Sequence, residues 1–553
     1  MTRYFFLFLA ITLGAVAGGC STPSVTTVAI PAGTVVGSVV DDVEYYRGIP
    51  FAQPPVGSLR LKPPVRLETF DTIQATGFGP ACPQMTGIEA TSLLLEVAAL
   101  PGLASTLSFL SGAPVDVTED CLTISVMRPR GTAPNAKLPV LFWIFGGGFE
   151  TGSPQGFNAS VLIPRSVAQH KPFIFVAVNY RLGGFGFLGG REILADGAAN
   201  LGLLDQRMGL QWVADNIEAF GGDPNAVTIW GESAGAVSVF DQLALYDGNN
   251  TYKGSPLFRG AIMNSGNIAP TEPVDGPKAQ VIFDTVVEAA GCATTPDKLE
   301  CLRNVDYDTY VNATNVVPSF LSYTSVALSY GPRPDGRILT ASPDELASAG
   351  KYAAVPLIIG DQEDEGTIAA LFQTNITTKS ALISYLNDIF FHGATREQIT
   401  AFVDTYPDSV ESNITYPEFN RLAAIIGDYE YTLMRRVFLG TLPASVPAWS
   451  YLATYGRGTP ILGTFHVSDL PRLFYGTDDV SHSLQSRYIA FVSSLNPNGG
   501  MSESPSGYQG YWPTWQGGHQ LLEFGANSTG ILFDNFRSSS FEYLRAHLSV
   551  LRL

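Results

Sequence analysis

The run Gly231-Glu232-Ser233-Ala234-Gly235 fits a sharp turn between a strand and a helix, of the kind that lifts a serine oxygen clear of a sheet. Residues 226–230 before it are β-prone, and residues 234–245 after it can continue as a helix. Glycines flank the serine for a steric reason: side chains at 231 or 235 would strike the neighbouring strand or helix. A serine hydroxyl is a weak nucleophile near neutral pH, so it needs a base, and the base needs an orienting acid. The chemistry this implies is acyl transfer, with attack on a carbonyl carbon, an acyl-serine and its release to water.

Histidine limits that chemistry, because the chain has six: His170, His392, His466, His482, His519 and His547. In an architecture built on this turn the order is serine, then acid, then histidine, which removes His170. His466 follows a strand-like run at 446–453 and a glycine-rich loop at 456–463, and loops past strand ends are where such bases sit. His392 in an aromatic stretch, His482 in a polar turn and His547 in a terminal amphipathic helix read as structural. His519, in a Gly-Gly-His loop, is the strongest alternative. For the acid, an apolar run at 355–360 opens into Asp361-Gln362-Glu363-Asp364-Glu365-Gly366. A solvated acidic loop accounts for most of these carboxylates, and spacing does not choose among Asp361, Glu363, Asp364 and Glu365.

Donors must also be aimed at the oxyanion that forms when a serine attacks a carbonyl. Residues 138–145 form a continuous apolar run suited to a strand buried on both faces, and it ends in Gly146-Gly147-Gly148-Phe149. The backbone amides of Gly147 and Gly148, with that of Ala234 after the serine, are the candidate oxyanion hole. A phosphate-cradling loop is the rival reading, but no Gly-Lys-Ser/Thr follows and no Gly-x-Gly-x-x-Gly pattern opens a helix.

These residues sit among further segments: Tyr46-Arg47-Gly48-Ile49-Pro50-Phe51-Ala52, Glu119-Asp120-Cys121-Leu122, Asn179-Tyr180-Arg181-Leu182-Gly183, Phe220-Gly221-Gly222-Asp223-Pro224 and Asp364-Glu365-Gly366. Together they resemble the type-B carboxylesterase/lipase family, which includes fungal lipases of the Candida rugosa type, carboxylesterases and cholinesterases. The resemblance implies an α/β-hydrolase fold: one large domain over residues 21–553, with a mainly parallel central sheet, helices on both faces and a lid-like insertion. It selects Glu365 as the acid, supports His466 as the base, and gives Arg47 and Glu119 as a structural ion pair. Glu232 is a family marker. Of the three connectivities open to Cys82, Cys121, Cys292 and Cys301, it selects Cys82 with Cys121 and Cys292 with Cys301. It also makes the leucine-rich segment 88–110, inside the 82–121 loop, a mobile lid, with a fixed, core-packing helical hairpin as the alternative. The less aromatic stretch 367–372 after the acid implies a wider acyl channel.

The substrates so implied are apolar acyl esters such as acylglycerols or sterol esters, with short or phenolic esters as the alternative. No tryptophan occurs between Cys82 and Cys121, where cholinesterases carry one for choline, which argues against a quaternary-ammonium substrate. A non-catalytic adhesion protein of the same fold would typically lack the serine.

At the N-terminus Arg3 precedes an apolar run at 4–17 and small residues at 15–19, so residues 1–20 read as a secretory signal cleaved between 17 and 21. Cysteine pairing and acceptor motifs at Asn158, Asn249, Asn312, Asn375, Asn413 and Asn527 suit an extracellular protein. The net charge of −18, with no basic run, excludes nucleic acid as a partner and disfavours anionic membranes, though not a neutral lipid interface. No His/Cys/Asp/Glu cluster has metal-ligand spacing, and serine hydrolysis needs no cofactor. The expectation is a monomer or weak dimer without a transmembrane segment, in transient contact with lipid.

Overall fold

The computed structural model describes residues 24–87, 91–98, 116–320, 322–407, 415–499 and 510–553. The signal reading at 1–20 and most of the segment read as a lid lie outside them. Strands β1 (Ser24–Ile30), β2 (Gly33–Val40) and β3 (Val43–Pro50) form an antiparallel meander, and β4 (Thr72–Gln74) adds to β2. After them come β5 (Thr123–Pro129), β6 (Leu138–Ile144), β7 (Ile174–Val178), β8 (Gly222–Glu232), the small hairpin β9 (Thr251–Tyr252) and β10 (Ser255–Pro256), then β11 (Gly260–Asn264), β12 (Leu357–Gln362), β13 (Ala448–Ala453), β14 (Gln520–Phe524) and β15 (Thr529–Phe533).

Apart from the hairpin these strands make one sheet in the order β1-β2-β3-β5-β7-β6-β8-β11-β12-β13-β14-β15. From β7 to β14 every pairing is parallel. Antiparallel strands close both edges. The centre is parallel because its strands are apolar on both faces: every residue of β7, β11, β12 and β13 is buried, as is β6 from Val140 to Ile144. Helices cover those faces, including α2 (Leu201–Asn216) and α3 (Ala234–Gly248), while α1 (Ser92–Ala98) packs on the short helical turn Ala369–Phe372. In α3 the backbone leaves helical geometry at Leu245, Tyr246 and Asp247. Among the described residues no helix is long and apolar enough to cross a membrane.

Disulfides join Cys82 to Cys121 and Cys292 to Cys301. Of the loop closed by the first, α1 is described: Leu93 and Val97 are buried and Leu95 is exposed. Asn249, Asn312, Asn375 and Asn527 are exposed, Asn158 is half-buried and Asn413 lies outside the described residues.

One expected pair is different. Glu119 takes two hydrogen bonds from Arg60, at 2.6 and 2.8 Å, and not from Arg47. Arg47 lies where the β3/β5 register shifts, and its guanidinium stacks on the rings of Tyr45 and Phe78. The local irregularity turns the side chain onto these aromatic faces.

Below the acid loop a buried ion cluster ties the sheet to its helical cover. Arg435 donates Nε to Asp361 at 2.7 Å and both terminal nitrogens to Asp534 at 2.8 and 3.0 Å. Asp534 also accepts from Arg436 and from Trp515 Nε1. The two carboxylates are served unequally. Burial opposes the charge on Asp534, but Arg435 and Arg436 outweigh it and hold the group down, to about 2. Asp361 has one donor and an unpartnered Oδ1, and burial pushes it up to about 7 despite Arg435.

Removing Arg435 leaves buried carboxylates without their counter-charge, so Arg435→Met should lose about 3–5 kcal/mol in denaturant unfolding. A loss no larger than that of a surface substitution would show the cluster to be unimportant for stability. Asp534, with a depressed folded value, contributes stability that is complete above its ordinary value near 3.8 and is lost as pH falls toward 2. Because the wild type alone loses this contribution, the stability gap between wild type and variant should narrow as pH falls below about 3.8.

Candidate active site

Ser233 ends β8 and caps α3 with φ 57° and ψ −129°, a strained conformation for a residue with a side chain. The turn is tight enough that a Cβ on Gly231 would lie 2.2 Å from the carbonyl oxygen of Gly235, and a Cβ on Gly235 would lie 2.1 Å from that of Ile144. Its amide donates to the Asn264 carbonyl at the end of β11, at 2.9 Å, pinning the turn to the next strand.

The acid loop follows β12 and the histidine loop follows β13, both at the same end of the parallel strands as Ser233. That end is where open α/β sheets form their ligand crevices. His466 Nε2 lies 2.8 Å from Ser233 Oγ, and His466 Nδ1 lies 2.6 Å from Glu365 Oε2. Gln362 N–H donates to the other Glu365 oxygen at 2.7 Å, which orients the carboxylate. The four competing carboxylates divide cleanly. Asp361 binds Arg435, Glu363 takes two bonds from Arg457, and Asp364 accepts from Thr464 N–H at 2.8 Å, clamping the acid and histidine loops together. Glu365 is the one that reaches His466.

Two other histidines are engaged elsewhere, and a third lies in a helix. His519 stacks on Trp515, His547 stacks on Tyr543 and bonds its carbonyl, and His482 sits in the helix Asp479–Ser494 where a turn was expected.

Three buried acids act on His466. Burial by itself would lower the basicity of the imidazole, but Glu232, Glu365 and Asp469 outweigh it and push its pKa up to about 9. Complete burial drives Glu232 well above the carboxylate range, and its Oε1, 3.5 Å from His466 Nε2, has no hydrogen-bond partner. Once neutral, Glu232 contributes little, and Glu365 remains as the charge that supports a protonated ring. Sequence reasoning missed Asp469, which accepts from Asn264 at 2.6 Å. Its only signal is its place three residues after His466. Tyr431 covers the ring face, centroid to centroid 4.7 Å.

Ser233 and His466 open into a cavity whose space, open mouth included, is about 1070 Å³. Gly148 and Ala234 border it beside Ser233, with Phe149, Val237, Phe320, Leu328, Ile368 and Tyr431 supplying an apolar wall. Gly147 and Gly148 have φ of 108° and 63°, so their turn uses backbone conformations that favour glycine. Ile368 and Ala369 bring the stretch after the acid into the lining. Among the described residues no group of His, Cys, Asp and Glu is arranged to hold a metal ion.

Such an arrangement can pass a proton from a serine to an imidazole held in one tautomer by a carboxylate. Glu365→Gln should misorient His466 and cut turnover about 10⁴-fold, while Glu363→Gln, which loses a partly exposed pair, should stay within about fivefold. Steady-state kinetics of both variants decide the matter, since equal losses would assign the acid elsewhere.

A family model described as the carboxylesterase family matches residues 24–529. The chain is 53% identical to secreted lipase 1 of Botryotinia fuckeliana, over 94% of this chain and 92% of that one. It is 52% identical to a secreted triacylglycerol lipase of Gibberella zeae, over 95% and 91% of the two chains. Among solved structures, EstA of Aspergillus niger superposes with a TM-score of 0.80 at 28% identity, covering 96% of this chain and 99% of that one.

Proposed function

The chain belongs to the carboxylesterase family and is a serine carboxylic ester hydrolase, and from that premise we propose that it is a secreted lipase cleaving apolar acyl esters, such as acylglycerols or sterol esters, with Ser233, His466 and Glu365. The observation that carries this reading is the continuous contact from Glu365 through His466 to Ser233 at the wall of an apolar cavity. Ser233 Oγ forms a bond to the acyl carbon while His466 Nε2 takes its proton, and the imidazolium then protonates the departing alcohol. Water repeats the sequence in reverse, leaving the acid and free serine. Glu365 holds the tautomer that keeps Nε2 free to accept, and the amides of Gly147, Gly148 and Ala234 receive the oxyanion. Catalysis runs without a cofactor. Secretion is supported by the names of the relatives and by the N-terminal reading, with residues 21–553 as one catalytic domain. The exposed acceptors Asn249, Asn312, Asn375 and Asn527 are the favoured glycosylation sites.

Apolar substrates are favoured by the cavity wall and by α1. That helix is tied to the stretch after the acid by Thr91 Oγ1, which donates to the Leu371 carbonyl at 3.0 Å, and it leaves Leu95 62% exposed. An exposed leucine on this helix has more affinity for lipid than for water, which favours whatever arrangement offers it to an interface.

Ser233→Ala should lower turnover by about 10⁴ to 10⁶ and abolish labelling by a fluorophosphonate. A purified variant retaining a tenth of the wild-type rate would overturn the mechanism. With a long-chain ester, the wild-type rate should jump as the substrate passes from dissolved monomers to droplets, and Leu95→Ser should flatten the jump. Smooth saturation across the solubility limit in both proteins would instead mark an esterase for short or phenolic esters.

A further inference from the structure

The turn that would aim amides at the oxyanion is braced by a buried acid away from the reacting groups. Glu150 stands two residues after Gly148 and is fully buried, and it does not border the cavity. Its Oε2 accepts from the Phe320 amide at 2.7 Å and its Oε1 from the Tyr330 amide at 3.3 Å. Phe320 and Gly331, with Val326 and Leu328 between them in the chain, line the cavity. The Phe320 ring then returns to the turn, since a Cβ on Gly148 would lie 3.0 Å from its Cγ. Gly148, Glu150 and Phe320 thus close a circuit of backbone, hydrogen bond and ring contact. On the turn itself, the Glu150 amide donates to the Gly147 carbonyl at 3.1 Å and the Glu150 carbonyl accepts from the Met85 amide at 2.9 Å. The lining segment is tied to the acid side as well, by Ser325 Oγ donating to the Ala369 carbonyl at 2.9 Å.

We propose that Glu150 is a positioning residue for ester hydrolysis: by holding Phe320 against Gly148, it fixes the aim of the Gly147 and Gly148 amides. The proposal rests on the hydrolase reading, with those amides in the oxyanion hole, and adds the group that keeps them in place. Consecutive glycines have the greatest backbone freedom a chain allows, and donors stabilise an oxyanion best when they are already oriented. A glycine has no side chain of its own for packing to grip, so its orientation must come from neighbours. The choice of residue fits that task. A carboxylate accepts on both oxygens, whereas a carboxamide would turn its NH2 group toward one of the two amides. Burial pushes Glu150 up to about 8, against the pull of the Phe320, Tyr330 and Ser329 amides. With an N–H aimed at each oxygen, the geometry is that of the ionised form.

The test uses octyl trifluoromethyl ketone, an inhibitor that reproduces the tetrahedral intermediate. Ser233 Oγ bonds to its carbonyl carbon, the serine proton passes to His466 Nε2, and the carbonyl oxygen becomes the oxyanion. Glu150→Leu should raise the inhibition constant and lower kcat for p-nitrophenyl octanoate in parallel, each about 10- to 100-fold, with KM within about threefold of wild type. Assays above about pH 8 keep the wild-type Glu150 ionised. Rates are taken per active site by fluorophosphonate titration, so partial unfolding lowers the number of sites and leaves the inhibition constant of the rest unchanged. Glu150→Gln, which keeps the shape and one acceptor, should fall between wild type and Glu150→Leu, and it serves if the latter fails to fold. An inhibition constant within about twofold of wild type in the folded variants would overturn the proposal, as would a loss confined to KM. A wild type that neither cleaves the ester nor forms the ketone adduct would instead refute the hydrolase reading itself.

Discussion

Everything at the site depends on a backbone held in an unfavourable conformation at one residue. Ser233 keeps a positive φ because the end of β8 and the start of α3 approach so closely that Gly231 and Gly235 have no room for a Cβ. The amide of Ser233 is anchored on β11, and the next amide along β11, that of Ser265, is anchored on the Gly360 carbonyl of β12. The strain at the serine is thus borne by the buried parallel sheet, whose strands are apolar on both faces and too closely packed to relax locally. That sheet also sends the loops after β8, β12 and β13 to one end, where the serine, the acid and the histidine meet.

Electrostatics at that meeting point is a matter of which acids stay charged. Glu365 receives a backbone donor and meets the imidazole. Glu232 has no hydrogen-bond partner on one oxygen and is driven toward its neutral form by burial. Two glutamates within reach of one histidine therefore present different chemistry, one a charge and the other a buried acid. The environment, not the residue type, makes the distinction.

The cavity follows the same logic on a larger scale. Its wall near Ser233 is apolar, which suits an acyl chain, and a face of α3 carries the wall from the serine to an unpartnered aspartate. A buried aspartate without a hydrogen-bond partner is costly for folding.

Much of this was legible in the chain itself, for identifiable reasons. The turn at 231–235 could be read because few other uses of two glycines around a serine, between a β-prone run and a helix, satisfy the sterics. The apolar runs at 138–145, 355–360 and 446–453 announced the strands 138–144, 357–362 and 448–453, although the middle one extends through Asp361 and Gln362 of the expected acid loop, and the position of His466 past the last of them followed. The family resemblance supplied Glu365. Spacing could not, since four carboxylates in six residues differ only in what each meets after folding: Arg435, Arg457, the Thr464 amide or His466. The same limit explains the exchange of Arg47 for Arg60 as partner of Glu119, because a register shift in β3 redirects a side chain without leaving a trace in composition. Asp469, Asp241 and Glu150 were beyond sequence reasoning for one reason. Each is an ordinary polar residue in the chain, and its character comes from burial and from the absence or presence of partners contributed by distant segments. Local sequence determined the turn, the strands and the candidate nucleophile and base; tertiary packing alone decided which acid meets the histidine and which partners each buried acid finds.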